Sequence, residues 1–160
     1  MNMKLNELPD SSRVWIYQSN TEFTEDQLKV INNTFEEFTS SWDYHGVGLN
    51  AAAEVLYKRF IVIAVDEGVQ KAGGCSIDKS VVIIKSIEKE FGVELMNRMN
   101  LAYKEGEDIL CEKMPDFQRL IREGKITADT VVFNNLVETT GDLKKSWQVP
   151  AKESWHKTLF

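Results

Sequence analysis

The sequence predicts an α+β fold, and three observations carry that prediction. The stretch FTEDQLKVINNTFEEFTSSW repeats its large apolar residues at three- and four-residue steps, the spacing of one helix face. The run FIVIAV is apolar throughout and built from strand formers, which suits a strand at the middle of a sheet, covered on both sides. The elements then follow as strand, helix, strand, strand, helix, strand. That is the βαββαβ order of the ferredoxin-like fold, here with a C-terminal αβ extension in a single domain over residues 1–160. The same element order in an open α+β sheet with other strand pairing is the alternative.

Residues 1–12 are expected to be a frayed leader ending in the turn-like PDSS, and RVWIYQ (13–18) is the first strand. In the first helix, Thr24 and Gln27 form a capping box, and Phe23 and Leu28 are placed as a hydrophobic staple. Leu28, Ile31, Phe35, Phe38 and Trp42 make its apolar stripe. DYHGVGLN reads as a loop. AAAEVLYKR and FIVIAVD read as a hairpin whose tip lies near Tyr57–Arg59. After the polar loop EGVQKAGG, a second helix is expected from about Ile77 to Phe91, with Gly92 as its C-cap.

VELMNRMN is expected to be a short helix, and LAYKEGEDILCEKM a hairpin around EGED. Pro115 opens the helix PDFQRLIRE, which Gly124 closes. TVVFNNLVET is a late strand, followed by a tail at 147–160 that carries Trp147 and Trp155.

Composition narrows the function. Lys and Arg number 19 against 25 Asp and Glu, a net charge of −6 without a basic stripe, so no nucleic-acid partner is expected. The longest apolar run is FIVIAV, far below the roughly 20 residues of a membrane span, so no membrane partner is expected either. The N-terminal MNMKLNELPDSSR has no apolar core of a secretory signal, so the expected location is cytoplasmic. Cys75 and Cys111 are then expected as reduced thiols.

The candidate site lies in GGCSIDKS, Gly73 to Ser80. It matches the phosphate-loop pattern G-x-x-x-x-G-K-[ST] at Gly73, Lys79 and Ser80, with Asp78 where the second glycine belongs. That glycine lets the backbone close on a phosphate, whereas an aspartate adds bulk and negative charge there. The plainer reading is a strand-to-helix turn made by Gly73 and Gly74, with Ser76 or Asp78 as the helix cap. Cys75 then stands just before a helix N-terminus, where thiolates are stabilised. A buried structural Cys75 is the expected case; a nucleophilic one needs a base, and His45 in YHGVG is the candidate. His156 is expected to be mobile in the tail.

Asp66 and Glu67, after the apolar strand, are placed to orient a histidine or bind a cation. The spacing of Cys75, Cys111, His45 and His156 contains no local ligand pair, so no metal and no cofactor is expected. Asn134 and Asn135 end a strand and are either ligand contacts or strand breakers. Trp147 and Trp155 are anchors for docking the tail on its own domain or on a protein partner.

The combination of SRVWIYQ, GCSIDKS, VVFNNLV and the closing SWH resembles an uncharacterised bacterial family of about this length, often labelled ABC transporter ATPases. The resemblance implies a bacterial, cytosolic protein and carries over no catalytic residue. The label's own motifs are missing: the second glycine is Asp78, and there is no LSGGQ-like stretch.

The sequence therefore points to a small cytosolic, non-catalytic small-ligand-binding or interaction domain. Its expected site is formed by His45, Asp66, Gly73, Gly74, Cys75, Ser76 and Asp78, with a small anionic ligand or a protein as partner. The alternative is a thiol-dependent enzyme with Cys75 as nucleophile and His45 as base.

Overall fold

A computed structural model describes residues 3–68 and 70–160. Met1 and Asn2 of the expected leader, and Val69 of the EGVQKAGG loop, lie outside the described residues. The fold is mixed α and β, with four helices and antiparallel sheets among the described residues. No helix of the described residues is long and apolar enough to cross a membrane. The chain forms two compact units, one of residues 1–96 with 138–141, the other of residues 97–137 with 142–160.

The first unit is built on a three-stranded antiparallel sheet. Strand β1 (Arg13–Gln18) pairs with β5 (Phe60–Val65), and β5 with β4 (Ala51–Leu56), in the order β1-β5-β4. Every residue of β5 is buried, so the middle strand is covered on both faces, as its lack of alternation predicts. Ile61, Ile63 and Val65 share a core with Ile31 and Phe35 of helix α1 (Glu25–Ser41) and with Ile84 and Ile87 of helix α2 (Gly74–Phe91). Leu28, Phe38 and Trp42 complete the predicted stripe in the same core, and Phe23 joins them.

The residues expected as the fourth strand of this sheet pair elsewhere. Residues 100–105 form β6 of the second unit, and among the described residues the β1 side of the first sheet pairs with no further strand but receives a bridge, Arg13 to Thr139. Segment 138–141 returns to the first unit and clips its N-terminal strand. The Val14 N–H donates to the Glu138 carbonyl at 2.9 Å, and the N–H groups of Thr140 and Gly141 donate to Ser12 and Asp10, each at 2.9 Å. The expected frayed leader is not seen over the described residues 3–12. Leu5, Leu8 and Ser12 are buried, and the Leu5 N–H donates to Glu54 Oε2 at 2.6 Å.

Other expectations shift for physical reasons. DYHGVGLN is not a plain loop: β2 (Asp43–Tyr44) pairs with β3 (Val47–Gly48) across a two-residue turn. His45 and Gly46 both take positive φ there (53° and 80°), the conformation of a tight hairpin turn. VELMNRMN is not helical. The Leu95 and Met96 N–H groups donate to Glu88 Oε2 at 2.7 and 3.1 Å, so their donors are satisfied without helix bonds.

The second unit has a four-stranded antiparallel sheet, ordered β7-β6-β8-β9. The expected hairpin is β6 (Asn100–Glu105) with β7 (Asp108–Lys113). β8 (Val131–Phe133) meets β6 at Tyr103–Val132 and pairs with β9 (Gln148–Pro150). Helix α3 (Met114–Arg122), with proline in its first turn, sets Phe117 into a core with Leu101, Tyr103, Ile126, Val132 and Ala151. The chain returns through α4 (Thr140–Ser146).

The expected tail is packed rather than loose. Trp147 is buried, and its Nε1 donates to Asn135 Oδ1 at 2.9 Å. His156 is 1 % exposed, with its ring stacked 4.0 Å from Trp155 and its Nδ1 hydrogen-bonded to Ser154 Oγ at 2.7 Å. The mobility expected of His156 is therefore overturned. Its burial depresses the imidazole pKa to about 4.

Candidate functional site

The candidate site is the start of α2, and a hairpin built on the end of α1 shapes it. Helix α1 ends at Trp42, whose indole Nε1 donates to the Ser76 carbonyl at 2.9 Å. The Ser76 hydroxyl in turn donates to the Asp43 carbonyl at 2.6 Å. These two bonds hold the β2–β3 hairpin against the first turn of α2. Tyr44 then lies directly on Gly73: a Cβ at Gly73 would run into the phenol ring. Close approach of an aromatic ring is the reason this position holds glycine.

That contact moves the helix start. The expected caps were Ser76 or Asp78, with the helix from about Ile77. The N-cap is Gly73, and the helix begins at Gly74. Its first internal bond runs from the Ile77 N–H to the Gly73 carbonyl at 3.0 Å. Ser76 is thus inside the first turn with its hydroxyl spent on Asp43, and exposed Asp78 lies beyond that turn.

Gly73 has no side chain to cap the helix. The N–H groups of Gly74, Cys75 and Ser76 have no partner among the described residues. They are the donors every helix leaves unsatisfied at its start, and they carry the positive end of the helix dipole. Space beside Gly74 is open: a Cβ there would meet nothing within 4 Å.

The other predicted residues fall around this turn to different degrees. Cys75 is exposed, which corrects the expectation of a buried structural thiol. Its environment follows from the early helix start, which places it in an open first turn rather than on the core side. His45 is exposed at the hairpin tip, and its ring packs 4.1 Å from that of Tyr44. Asp66 directs its carboxylate into its own loop, where Oδ1 accepts the Gly68 N–H at 3.0 Å. Glu67 does the equivalent for the chain entering the helix, with Oε2 accepting the Ala72 N–H at 3.0 Å. Lys79 reaches back to Asp43 at 3.9 Å.

The structure therefore seats the hairpin that carries His45 on Gly73 and Ser76, in the same helix start as Gly74 and Cys75, keeps the Asp66 carboxylate in its own loop and leaves Asp78 outside the first turn. Sequence reasoning missed Tyr44. Its signal was an aromatic residue beside a tight-turn pair, His45–Gly46, in a chain that also carries a Gly–Gly step.

Elsewhere, Asn135 accepts from Trp147, and Asn134 Oδ1 accepts the Leu136 N–H at 3.1 Å, so both serve the fold of the second unit. Cys111 is half-buried on β7, in the other unit from Cys75. No group of three metal-ligating side chains stands together among the described residues.

Residues Gly74–Ser80 are helical, so this near-match to a phosphate loop offers no loop long enough to wrap a chain of phosphates. What it offers is a short arc of backbone donors, open space and an exposed thiol. That arrangement suits one small oxyanion or carboxylate. No protein family, no curated protein and no solved structure matches the chain.

Proposed function

We propose that the protein is a cytoplasmic, non-catalytic small-ligand-binding domain that holds an anionic group, a carboxylate or a single phosphate, at the start of α2. One observation carries the reading. Among the described residues the first-turn N–H groups of α2 have no partner, and Tyr44 occupies the space a capping side chain at Gly73 would need. The helix end is thus held open by packing rather than by the lack of a suitable residue type.

The first unit follows three strands of the ferredoxin-like order, and the proposed site sits where the second helix of that order begins. The resemblance to short bacterial proteins labelled as transporter ATPases agrees with a cytoplasmic place. Nucleoside triphosphates are left out of the proposal because Asp78 stands for the glycine and the segment is helical.

A thermal-shift screen over metabolites and inorganic anions tests the reading. A ligand at a hundred times its Kd adds about 2.7 kcal/mol. No shift from any carboxylate or phosphate compound, at concentrations up to tens of times a millimolar Kd, would sink it.

The second reading is a thiol-dependent enzyme, favoured by one finding: Cys75 is exposed in the same first turn that the His45 hairpin packs against. Here Cys75 is the nucleophile and His45 the base. Alkylation of Cys75 measured against pH, in the native chain and in His45→Ala, separates the readings. A pH–rate curve unchanged by the substitution removes His45 as the base.

A further inference from the structure

The last residues of the chain are held to the second unit by side-chain packing alone. The final main-chain bonds to the rest of that unit run from the Ala151 N–H to the Thr130 carbonyl at 2.9 Å and from the Lys152 N–H to the Ala128 carbonyl at 3.0 Å. Lys152 Nζ adds a bond to Asp129 Oδ1 at 2.7 Å. Beyond Lys152, the hydrogen bonds among the described residues stay local. The N–H groups of Ser154, Lys157 and Phe160 donate to the carbonyls of Ala151, Ser154 and Lys157, and Thr158 Oγ1 donates to the Trp155 carbonyl.

What holds residues 153–160 in place is therefore apolar contact. Trp155 and Leu159 pack on the core that contains Leu101, Tyr103, Phe117 and Val132. The His156 ring is buried 5.9 Å from that of Phe117, and its one hydrogen bond among the described residues stays in the segment, at Ser154. The charges nearby are directed elsewhere. On α3, Arg119 pairs with Asp116 and Glu123 at 3.4 and 3.3 Å, and Arg122 is exposed. In the segment itself, Glu153 and Lys157 are exposed. The titratable group that β6 adds to this core is Tyr103, whose pKa is raised by burial and then by Glu112 and Glu105. Burial is the one cause of the lowered His156 pKa, so no charge on these elements offsets a proton there. A protonated ring in this place is costly, and the segment that carries it has no main-chain bond across to the core to keep it down.

We infer that residues 153–160 are a latch, which leaves the second unit as a piece when His156 takes a proton and uncovers the apolar surface around Phe117. Docked, the imidazole is neutral; released, it titrates in water at its ordinary value. Docking is at full strength above pH 6.5. As pH falls towards 4 the released segment takes the proton, and the docking equilibrium drops by up to about 300-fold. The β6–β7 and β8–β9 pairs have ladder bonds of their own, so the opening is local. The latch shares no group with the α2 start and stands or falls separately from it.

The test is a backbone-amide NMR titration of the full-length chain from pH 7.5 to pH 4.5, with the His156 ring followed through its Cε1–H resonance. Amides of residues 153–160 should leave their native positions together, with the midpoint of the His156 ring, while amides of β6 and β8 stay those of a folded sheet. His156→Gln, which cannot take the proton, should keep the segment docked over the whole range. A segment that stays docked down to pH 4.5, or that is lost in one transition with the β6 amides, overturns the inference. So does release of His156→Gln at the native midpoint. If His156→Gln is already released at pH 7.5, the native chain decides alone, and a segment midpoint that departs from that of the His156 ring overturns the inference.

Discussion

Two helices of the same unit begin in opposite ways. Helix α1 closes its own end: Thr24 Oγ1 accepts the Gln27 N–H at 3.1 Å, and Gln27 Oε1 accepts the Thr24 N–H at 2.9 Å. Glu25 and Asp26 add negative charge to that first turn. Helix α2 has a glycine cap, no acid in its first turn and three N–H groups without a partner among the described residues. The difference does not come from a shortage of capping residues, since Ser76 and Asp78 are close by. It comes from Tyr44, which packs on Gly73 and draws the helix start ahead of both. A helix end closed by local residues is finished as structure, whereas one held open by a distant ring is available to a ligand.

The largest predicted effect sets the conditions under which the two ends can be compared. His156 in the second unit has a folded pKa of about 4, below its ordinary value of 6.5. Its stabilising contribution is complete above pH 6.5. As pH falls the unfolded chain takes the proton first, and the contribution is lost on the way down to pH 4. The full loss is about 3 kcal/mol. Urea unfolding followed by tryptophan fluorescence should show this slope, and His156→Gln should flatten it. A slope that survives in His156→Gln would place the acid-sensitive group elsewhere.

Next comes the contact that separates the helix ends. Gly73→Ser supplies a capping hydroxyl but drives its Cβ into Tyr44, and should destabilise the chain by about 2 kcal/mol. In a Tyr44→Ala background the same substitution should change sign and stabilise by about 1 kcal/mol, because the cap can then form. Denaturant midpoints of the four chains measure this. A destabilising Gly73→Ser in both backgrounds would break the account of why α2 is uncapped. The smallest effect is at the closed end: Thr24→Ala should cost about 1 kcal/mol and leave ligand binding untouched.

Local signals were legible in the sequence and distant contacts were not. The Thr24–Gln27 box, the Gly92 stop, with its left-handed φ of 64°, and the β6–β7 hairpin each depend on neighbours in the chain. The α2 start was read three residues late, because Ser76 is a good cap by type and Tyr44 is far away in sequence. LAYKE was legible as a strand, but its partners β7 and β8 lie in a different sheet from the one expected. Segment 93–99 has helix-forming residues, yet Glu88 takes the Leu95 and Met96 donors and the helix does not form. The C-terminal segment looked polar because Lys152, Glu153 and Lys157 dominate it. The short turns there point those charges outward and Trp155 and His156 inward. At the candidate site, the residue types of YHGVG and GGCS were legible, while Tyr44, which packs on Gly73, left only a weak trace.

The central claim is that the start of α2 binds an anionic group and the start of α1 does not. The direct measurement is an amide-resolved NMR titration at pH 7.5 with the best carboxylate or phosphate compound from the thermal-shift screen. The account predicts saturable shifts of the Gly74, Cys75 and Ser76 amides, with those of Glu25, Asp26 and Gln27 unmoved, and loss of the α2 shifts in Tyr44→Ala/Gly73→Ser. Equal shifts at both helix ends, or α2 amides that stay still while the compound binds elsewhere, would contradict it.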